Sequence, residues 1–201
     1  MKVGFARQLT YSLAGVLVLA GLGPLRAQAQ DHQSHAAASL QYETQEQRNQ
    51  TSAFVKVVRD ATERFKNVAR AEAEGYFLQF GCVSGSDAGA MGMHFVNFPL
   101  VADGELDPTR PEIVIYEPTS TGRLRLIGAD YLVLAEAWDK KHPGAPPQLM
   151  GQLFHLFESP NRFGLPPFYT LHVWAWKDNP LGTFTNWNPN VSCDGFNGVS
   201  Q

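Results

Sequence analysis

From residue 75 onwards the chain breaks into short apolar runs separated by Gly, Pro and Asp, and this pattern constrains the fold most. Short runs rich in β-branched and aromatic residues are typical of strands. The five runs are GYFLQFGCV, GMHFVNF, EIVIYEP, RLRLIGADYLVLAEAW and FYTLHVWAW. Tight turns between them, such as PTSTG, favour hairpins, and hairpins pair strands antiparallel.

Two other stretches have helical spacing. Between about Glu43 and Glu74, apolar residues recur at intervals of three and four with charges between them, which predicts one long amphipathic helix. PPQLMGQLFHLFE has the same spacing through Leu149, Leu153 and Leu156, which predicts one short additional helix. The predicted fold class is α+β: a curved antiparallel β-sheet packed by the long N-terminal helix.

The first 29 residues have a basic start, an apolar run and an Ala-Gln-Ala ending, the pattern of a signal peptide cleaved after Ala29. The apolar run is shorter than the roughly 20 residues of a spanning helix, so no stable membrane anchor is expected. Residues 30–42 are predicted to be a flexible leader, and residues 43–201 a single α+β domain. The predicted location is periplasmic or secreted.

Charge and cysteine content narrow the range of functions. Removal of the signal peptide changes 16 basic against 19 acidic residues to 13 against 19, a net charge of −6, so no nucleic acid partner is expected. The two cysteines, Cys82 and Cys193, are predicted to form a disulfide, because an isolated pair in an exported chain usually does. Their spacing excludes a CxxC redox or zinc motif. The tail between residues 178 and 193 is expected to be an ordered loop pinned by Trp187 and this disulfide.

Two of the six histidines interrupt apolar strands. His94 lies in GAMGMHFVNF, and His172 lies in YTLHVWAW on the face that strict alternation shares with Thr170, Trp174 and Trp176. Buried imidazoles need partners, and imidazole is the commonest side-chain ligand for transition metals. The other histidines are expected to be solvated: His32, His35, His142 and His155.

Two carboxylates also interrupt the strands. Asp130 shares a strand face with Leu132 and Leu134, so it is expected to point inward, whereas Glu117 precedes Pro118 and caps a strand end. Two histidines and one carboxylate on a rigid sheet leave coordination positions open, as in catalytic zinc sites and the facial triads of non-haem iron. The sequence therefore predicts a divalent transition metal (Zn, Fe, Mn or Cu) bound by His94, His172 and Asp130. Glu117 is predicted as a substitute ligand or as a base beside the ligands.

The predicted site is compatible with an enzyme that acts on a small molecule, and the candidate pocket walls are then Tyr116, Tyr131 and Trp174. Affinity for the metal is expected to fall below about pH 6, where an imidazole of ordinary pKa becomes protonated. The alternative is a non-catalytic binding module for an apolar ligand or a protein partner, in which both strand histidines are structural. No nucleophile elbow or phosphate-binding loop is present in the sequence.

Three motifs carry a resemblance: GAMGMHFVN, PEIVIYEP and LHVWAWKDNPLGTFTNWNPNVSC. They resemble motifs of a family of exported bacterial proteins, over roughly residues 50–193. The resemblance implies export, and it implies no particular activity, substrate or metal. In the family's pattern a Glu often stands where this chain has Asp130, so the position is acidic in both.

A further hypothesis concerns the N-terminus that cleavage after Ala29 would create. It would read Gln30-Asp31-His32. The terminal amine, two backbone nitrogens and the imidazole can supply four nitrogens in a square plane, a geometry that favours copper(II) or nickel(II). The alternative is a solvated leader in which the position of the histidine has no role.

Overall fold

The central feature of the fold is a six-stranded, curled antiparallel sheet. A computed structural model describes residues 44–85 and 87–198, which belong to one compact unit. The predicted signal peptide, the leader and the copper-binding N-terminus lie outside the described residues. In chain order the strands are β1 (Phe77–Gly85), β2 (Gly89–Val96), β3 (Ile113–Pro118), β4 (Leu124–Leu134), β5 (Gln148–Leu149), β6 (Gln152–Leu153), β7 (His155–Phe157) and β8 (Phe168–Val173).

The strand order in the large sheet is β1-β2-β3-β4-β8-β7, and β5 pairs with β6 in a separate hairpin. The first four strands follow one another as neighbours, as short connections require. The turn between β3 and β4 closes through Thr119, whose backbone N–H donates to the carbonyl of Arg123 at 2.8 Å. Each of the five predicted apolar runs contributes a strand, and the α+β class is confirmed.

The single long helix predicted between residues 43 and 74 is not what the structure shows. Helix α1 covers Gln45–Thr62, a 3₁₀ turn covers Glu63–Lys66, and helix α2 covers Val68–Ala73. Asn67 interrupts the path, because its backbone is extended and its side chain accepts from the N–H of Ala69 as the N-cap of α2. The three- and four-residue spacing of apolar residues does not reveal an N-cap in the middle of such a segment.

The short helix predicted between residues 146 and 158 is wrong, because this segment forms β5, β6 and β7. Met150 and Gly151 both have positive φ, 48° and 83°, and make the tight turn between β5 and β6. The predicted apolar stripe does not share one buried face either, since Leu149 is buried while Leu153 and Leu156 are 61% and 48% exposed. The short helices lie elsewhere: α3 (Phe98–Asp103) follows β2, and α4 (Ala135–Lys141) follows β4.

The two faces of the sheet carry separate cores. On one face the helical segment packs through Phe54 and Phe65 against strand residues such as Tyr131 and Tyr116. On the other face Ile113 and other apolar residues of β3, β4 and β8 pack together: Ile115, Ile127, Leu132 and Phe168. The polar residues discussed below are buried on this second face. Within the described residues, no helix is long and apolar enough to cross a bilayer.

The C-terminal tail is tied to the sheet at several points. The predicted disulfide joins Cys82 in β1 to Cys193, with a Cα–Cα distance of 5.8 Å. Asn188 forms an isolated bridge with Ala90, and the ring of Trp187 lies against Gly85. The expected ordered tail, held by a tryptophan and the disulfide, is therefore present.

Candidate metal centre

Three strands bring the predicted ligands together. Asp130 in β4 lies directly opposite His172 in β8. His94 in β2 reaches the same place across β3, where Ile115 pairs with His94 and Ile113 pairs with Asp130. Paired residues of neighbouring strands share a sheet face, so all three side chains meet on one face.

The distances within this group are short. Nε2 of His94 lies 3.2 Å from Nε2 of His172, and Nδ1 of His172 lies 3.5 Å from Oδ1 of Asp130. One ligand atom from each of the three residues lies within 4.8 Å of the others. Each side chain is at least 95% buried. The group is therefore a compact set of two imidazoles and one carboxylate, with bulk water excluded.

The hydrogen bonds fix the tautomer of His94. Its Nδ1 lies 3.3 Å from the carbonyl oxygen of Gly92, which can only accept, so Nδ1 carries the proton and Nε2 presents a lone pair to His172. If His172 carries its proton on Nδ1, two Nε2 lone pairs face each other. If Nε2 carries it, the Nδ1 lone pair faces an ionised Asp130.

Both tautomers of His172 therefore leave two electron-rich atoms facing each other when Asp130 is ionised. Among the described residues, Nδ1 of His172 has no hydrogen-bond partner. Buried polar atoms are nearly always paired, so such an orphan points to a missing partner. A cation bound by the two Nε2 atoms and by the Asp130 carboxylate would remove this repulsion.

The separation of the two nitrogens suits a metal. With metal–nitrogen bonds of about 2.05 Å, a 3.2 Å separation corresponds to a nitrogen–metal–nitrogen angle of about 100°. This value lies between the right angle of an octahedral site and the tetrahedral angle. The two imidazoles can therefore bind one ion with little movement.

Burial holds both imidazoles in the neutral form that metals require. Burial, with the neighbouring His172, lowers the pKa of His94 to about 4, although Asp130 and the Gly92 carbonyl act in the opposite direction. Burial also lowers the pKa of His172 to about 3, and His155 adds to this effect. Neutral imidazoles with free lone pairs are therefore present at ordinary pH.

The pKa of Asp130 is raised by burial and lowered by its neighbours. Burial raises the pKa of its carboxyl to about 6, while His94 and a hydrogen bond from Thr170 favour the charged form. The Thr170 hydroxyl donates to Oδ1 at 2.6 Å. The carboxylate is thus oriented by a second residue, as ligands of metal sites and their partners usually are.

A small, mostly apolar cavity adjoins the three residues, and we call it the inner cavity. Its volume is about 30 Å³, roughly the share of liquid volume that one water molecule occupies. Besides His94, Asp130, Thr170 and His172, the lining is apolar and consists of Phe80, Met91, Ile113, Leu132, Phe157, Phe163, Leu165 and Phe168. An open coordination position facing this cavity would be surrounded mainly by apolar side chains.

Glu117, the fourth predicted ligand, does not belong to this group. Its carboxylate accepts from Nζ of Lys177 at 2.6 and 2.8 Å, from the guanidinium of Arg125, and from the backbone N–H of Ser192 at 3.3 Å. Burial alone would raise the pKa of Glu117, but these donors hold it below its usual range. Glu117 therefore binds the tail and is not available as a ligand.

Two of the three predicted pocket walls lie on the opposite face of the sheet. The hydroxyl of Tyr116 donates to the carbonyl of Phe65 at 2.6 Å, and that of Tyr131 donates to the carbonyl of Pro108 at 2.7 Å. Neither lines the inner cavity. Trp174 does lie near the site, with its ring centroid 6.1 Å from that of His172, but its ring is not part of the lining.

Strict alternation also fails after β8 ends at Val173. Thr170 is on the face of His172, as predicted, but Trp176 lies on the other face, where its Nε1 donates to the hydroxyl of Thr62. His142 and His155 are exposed, as expected. The alternation rule therefore holds only as far as the strand itself continues.

Two residues next to the site were not identified from the sequence. Glu112 is buried, and its carboxylate accepts from the backbone N–H of Leu132 at 3.0 Å. Phe80 stands in an irregular part of β1 and lines the inner cavity with a φ of 63°. An acidic residue directly before an apolar strand is a weak signal for Glu112, and no local pattern indicates the position of Phe80.

Comparison with known proteins adds no relative from which a role could be transferred. No family model, no curated protein and no solved structure matches the chain.

Proposed function

We propose that this protein binds one divalent transition metal ion through His94, His172 and Asp130. The observation that carries the proposal is the pair of facing Nε2 atoms 3.2 Å apart, beside a buried Nδ1 that has no hydrogen-bond partner among the described residues. Two nitrogens and one oxygen suit zinc, iron, manganese or copper.

A metal held by three protein groups keeps open positions. An ion held by His94, His172 and Asp130 would lie beside the mostly apolar inner cavity and would polarise a small molecule bound there. The arrangement supports a metal-dependent reaction on a small molecule, and the substrate would have to pass the phenylalanines that line the cavity. Thr170 would orient the carboxylate, and the carbonyl of Gly92 would orient His94.

The proposal includes export. The signal-peptide pattern of residues 1–29 and the resemblance to exported bacterial proteins support it. The disulfide between Cys82 and Cys193 also supports it, because such bonds persist in oxidising compartments.

A second candidate function is a non-catalytic binding module. The Nε2–Nε2 distance of 3.2 Å also suits a hydrogen bond between two neutral histidines, and the neighbouring cavity is largely apolar. In this case a proton replaces the metal, both histidines are structural, and the protein binds an apolar ligand or a protein partner. Metal analysis separates the two candidates.

The test uses protein expressed with its own signal sequence, exported, and purified without chelators. We expect about one metal ion per chain by mass spectrometry of the elements, after growth with zinc, iron, manganese and copper in turn. His94→Ala and His172→Ala are each expected to abolish tight binding, because two remaining ligands rarely hold an ion.

His142→Ala and His155→Ala are matched controls, because both histidines are exposed. Both variants should keep the full metal content. Sub-stoichiometric metal in the wild-type protein despite supplementation, or equal retention in all four variants, would reject the metal site and favour the binding module.

A further inference from the structure

A second cavity, the outer cavity, adjoins the inner cavity and has a volume of about 300 Å³. The two cavities share four lining residues, Phe80, Ile113, Leu132 and Leu165. The shared side chains are therefore a thin partition between the outer cavity and the proposed metal site. A volume of about 300 Å³ lies at the lower end of the range for small-molecule sites.

The residues that line the outer cavity indicate which kind of ligand it can bind. All ten residues that line it are apolar, and those not shared with the inner cavity are Val96, Phe98, Val101, Ala102, Leu134 and Pro166. Among the described residues lining either cavity there is no Lys or Arg, so nothing compensates an anionic ligand in the outer cavity. The polar groups are confined to one end, at His94, Asp130, Thr170 and His172.

Phe80 occupies an unusual position between the cavities. In β1, Gln79 pairs with His94 and Cys82 pairs with Met93, so Phe80 and Gly81 are two extra residues opposite one peptide step of β2. Phe80 has a φ of 63°, a conformation that costs a bulky residue about 1–2 kcal/mol. Strained residues of this kind cluster at ligand sites, and this one turns a phenyl ring into both cavities.

From these observations we infer that the outer cavity binds the apolar body of an uncharged small molecule, whose single metal-binding group reaches the metal past Phe80. This inference rests on the proposed metal site for the position of that group. The half-exposed ring of Phe98, with 51% of its surface accessible, marks the rim. The substrate class is therefore a compact aromatic or aliphatic molecule with one neutral polar group.

The first experiment tests the outer cavity alone. N-phenyl-1-naphthylamine, an uncharged apolar dye, is titrated into the full-length protein with and without metal, and its fluorescence is followed. Ala102→Trp places an indole in the cavity from an exposed position of α3. It should weaken dye binding at least tenfold, while Ala53→Trp, the same change at an exposed position of α1, should not.

Val101→Phe gives a second way to fill the cavity if Ala102→Trp does not fold. Equal dye affinity in the cavity-filling variants and in Ala53→Trp overturns the inference. So does a concentration-dependent dimer that Ala102→Trp abolishes and that excludes the dye, because the occupant is then a second copy of the chain.

The second experiment tests the link to the metal. Cobalt(II)-loaded protein is titrated at pH 8 with imidazole and with 4-phenylimidazole, which offer the same donor nitrogen with and without an apolar body. The cobalt absorption spectrum should respond to 4-phenylimidazole at a concentration at least tenfold lower, and Ala102→Trp should remove this difference. Equal response in the wild-type protein overturns the link between the cavity and the metal.

The two experiments separate failure of the metal site from failure of the cavity. If cobalt does not bind at all, the proposed function fails, while the dye titration still supports or overturns the outer cavity as a ligand site. His172→Asn supplies the matching control, because it should lose cobalt and keep the affinity for the dye.

Discussion

At the scale of single residues, Asp130 is expected to set the pH response of the proposed metal site. Its pKa is about 6, whereas His94 and His172 have pKa values of about 4 and 3. As pH falls, Asp130 gains a proton before either imidazole does. From the sequence, a loss of metal affinity near pH 6 is expected from protonation of an imidazole. These pKa values point instead to protonation of the Asp130 carboxyl.

We expect zinc affinity to fall up to about tenfold for each pH unit below 6, because a protonated carboxyl no longer offers a charged ligand. Asp130→Asn should bind more weakly at pH 7 and show no step between pH 5 and 7. Competition with a chelating dye measures the zinc affinity at pH 7 and its change between pH 5 and 7. Thr170→Val should move the step to higher pH, because the lost hydrogen bond favours the charged form. An unchanged step in Asp130→Asn would contradict this assignment.

The buried carboxyl of Glu112 is expected to make the stability of the fold depend on pH. Burial raises its pKa to about 8, mainly through loss of solvation, so the folded protein keeps the side chain protonated where the unfolded chain is ionised. The folded state therefore binds more protons between about pH 4.5 and 8, and stability contributed by this group is lost as pH rises through that window. The slope for one group is at most about 1.4 kcal/mol per pH unit.

We expect Glu112→Gln to remove this slope and to be more stable than the wild-type protein at pH 8. The amide oxygen can still accept from the N–H of Leu132, as an oxygen of the protonated carboxyl does. Urea unfolding at pH 5, 6.5 and 8 gives the free energies. Glu136→Gln, at an exposed position, serves as the control. Parallel slopes for the wild-type protein and Glu112→Gln would exclude an unusual pKa at this position.

At the scale of elements, two glycines show how strand geometry supports the site. Gly92 has a φ of 90°, and a Cβ atom there would lie 2.7 Å from the backbone oxygen of Tyr116 in β3. Gly122, in the turn between β3 and β4, has a φ of 75° and no atom within 4 Å of such a Cβ. Both positions favour glycine, but only Gly92 also requires the absence of a side chain.

We expect Gly122→Ala to cost about 1 kcal/mol, the strain of a left-handed residue, and Gly92→Ala to cost roughly 2 kcal/mol more, because β2 and β3 must separate. Gly92→Ala should also lower metal content, because the carbonyl of Gly92 holds His94. Urea unfolding and metal analysis measure these effects. Similar costs in the two variants would show that the close approach to Tyr116 is relaxed in solution.

At the scale of the whole molecule, the disulfide joins β1 to the tail across 111 residues of sequence. Closure of a loop this long contributes about 4–5 kcal/mol in the chain-entropy model. Cys82→Ser should therefore lower the free energy of unfolding by several kcal/mol, in urea unfolding compared with the oxidised wild-type protein. Reduced wild-type protein is the matched control and should behave alike. Two free thiols in exported wild-type protein would contradict the bond.

The sequence by itself determined the antiparallel strands, the cysteine pair and the inward position of the three candidate ligands. Strand periodicity is local, so alternation placed Asp130 with Leu132 and His172 with Thr170 without any tertiary information. Burial of an imidazole or a carboxylate is costly, and this cost alone singled out His94, His172 and Asp130. The same local rules misplaced Trp176, because β8 ends before it.

Only the tertiary structure decided what these residues meet. The contact between His94 and His172 spans 78 residues, and it exists because β8 returns to pair with β4 and not with β7 alone. Glu117 pairs with Lys177, which lies 60 residues later in the chain, so Glu117 is not available as the predicted ligand. The segment between residues 146 and 158 likewise formed strands and not a helix, because pairing with other strands decided its structure. Local patterns specify which side chains must be buried, whereas pairing between distant segments chooses their partners, because that choice depends on the free energy of the whole sheet.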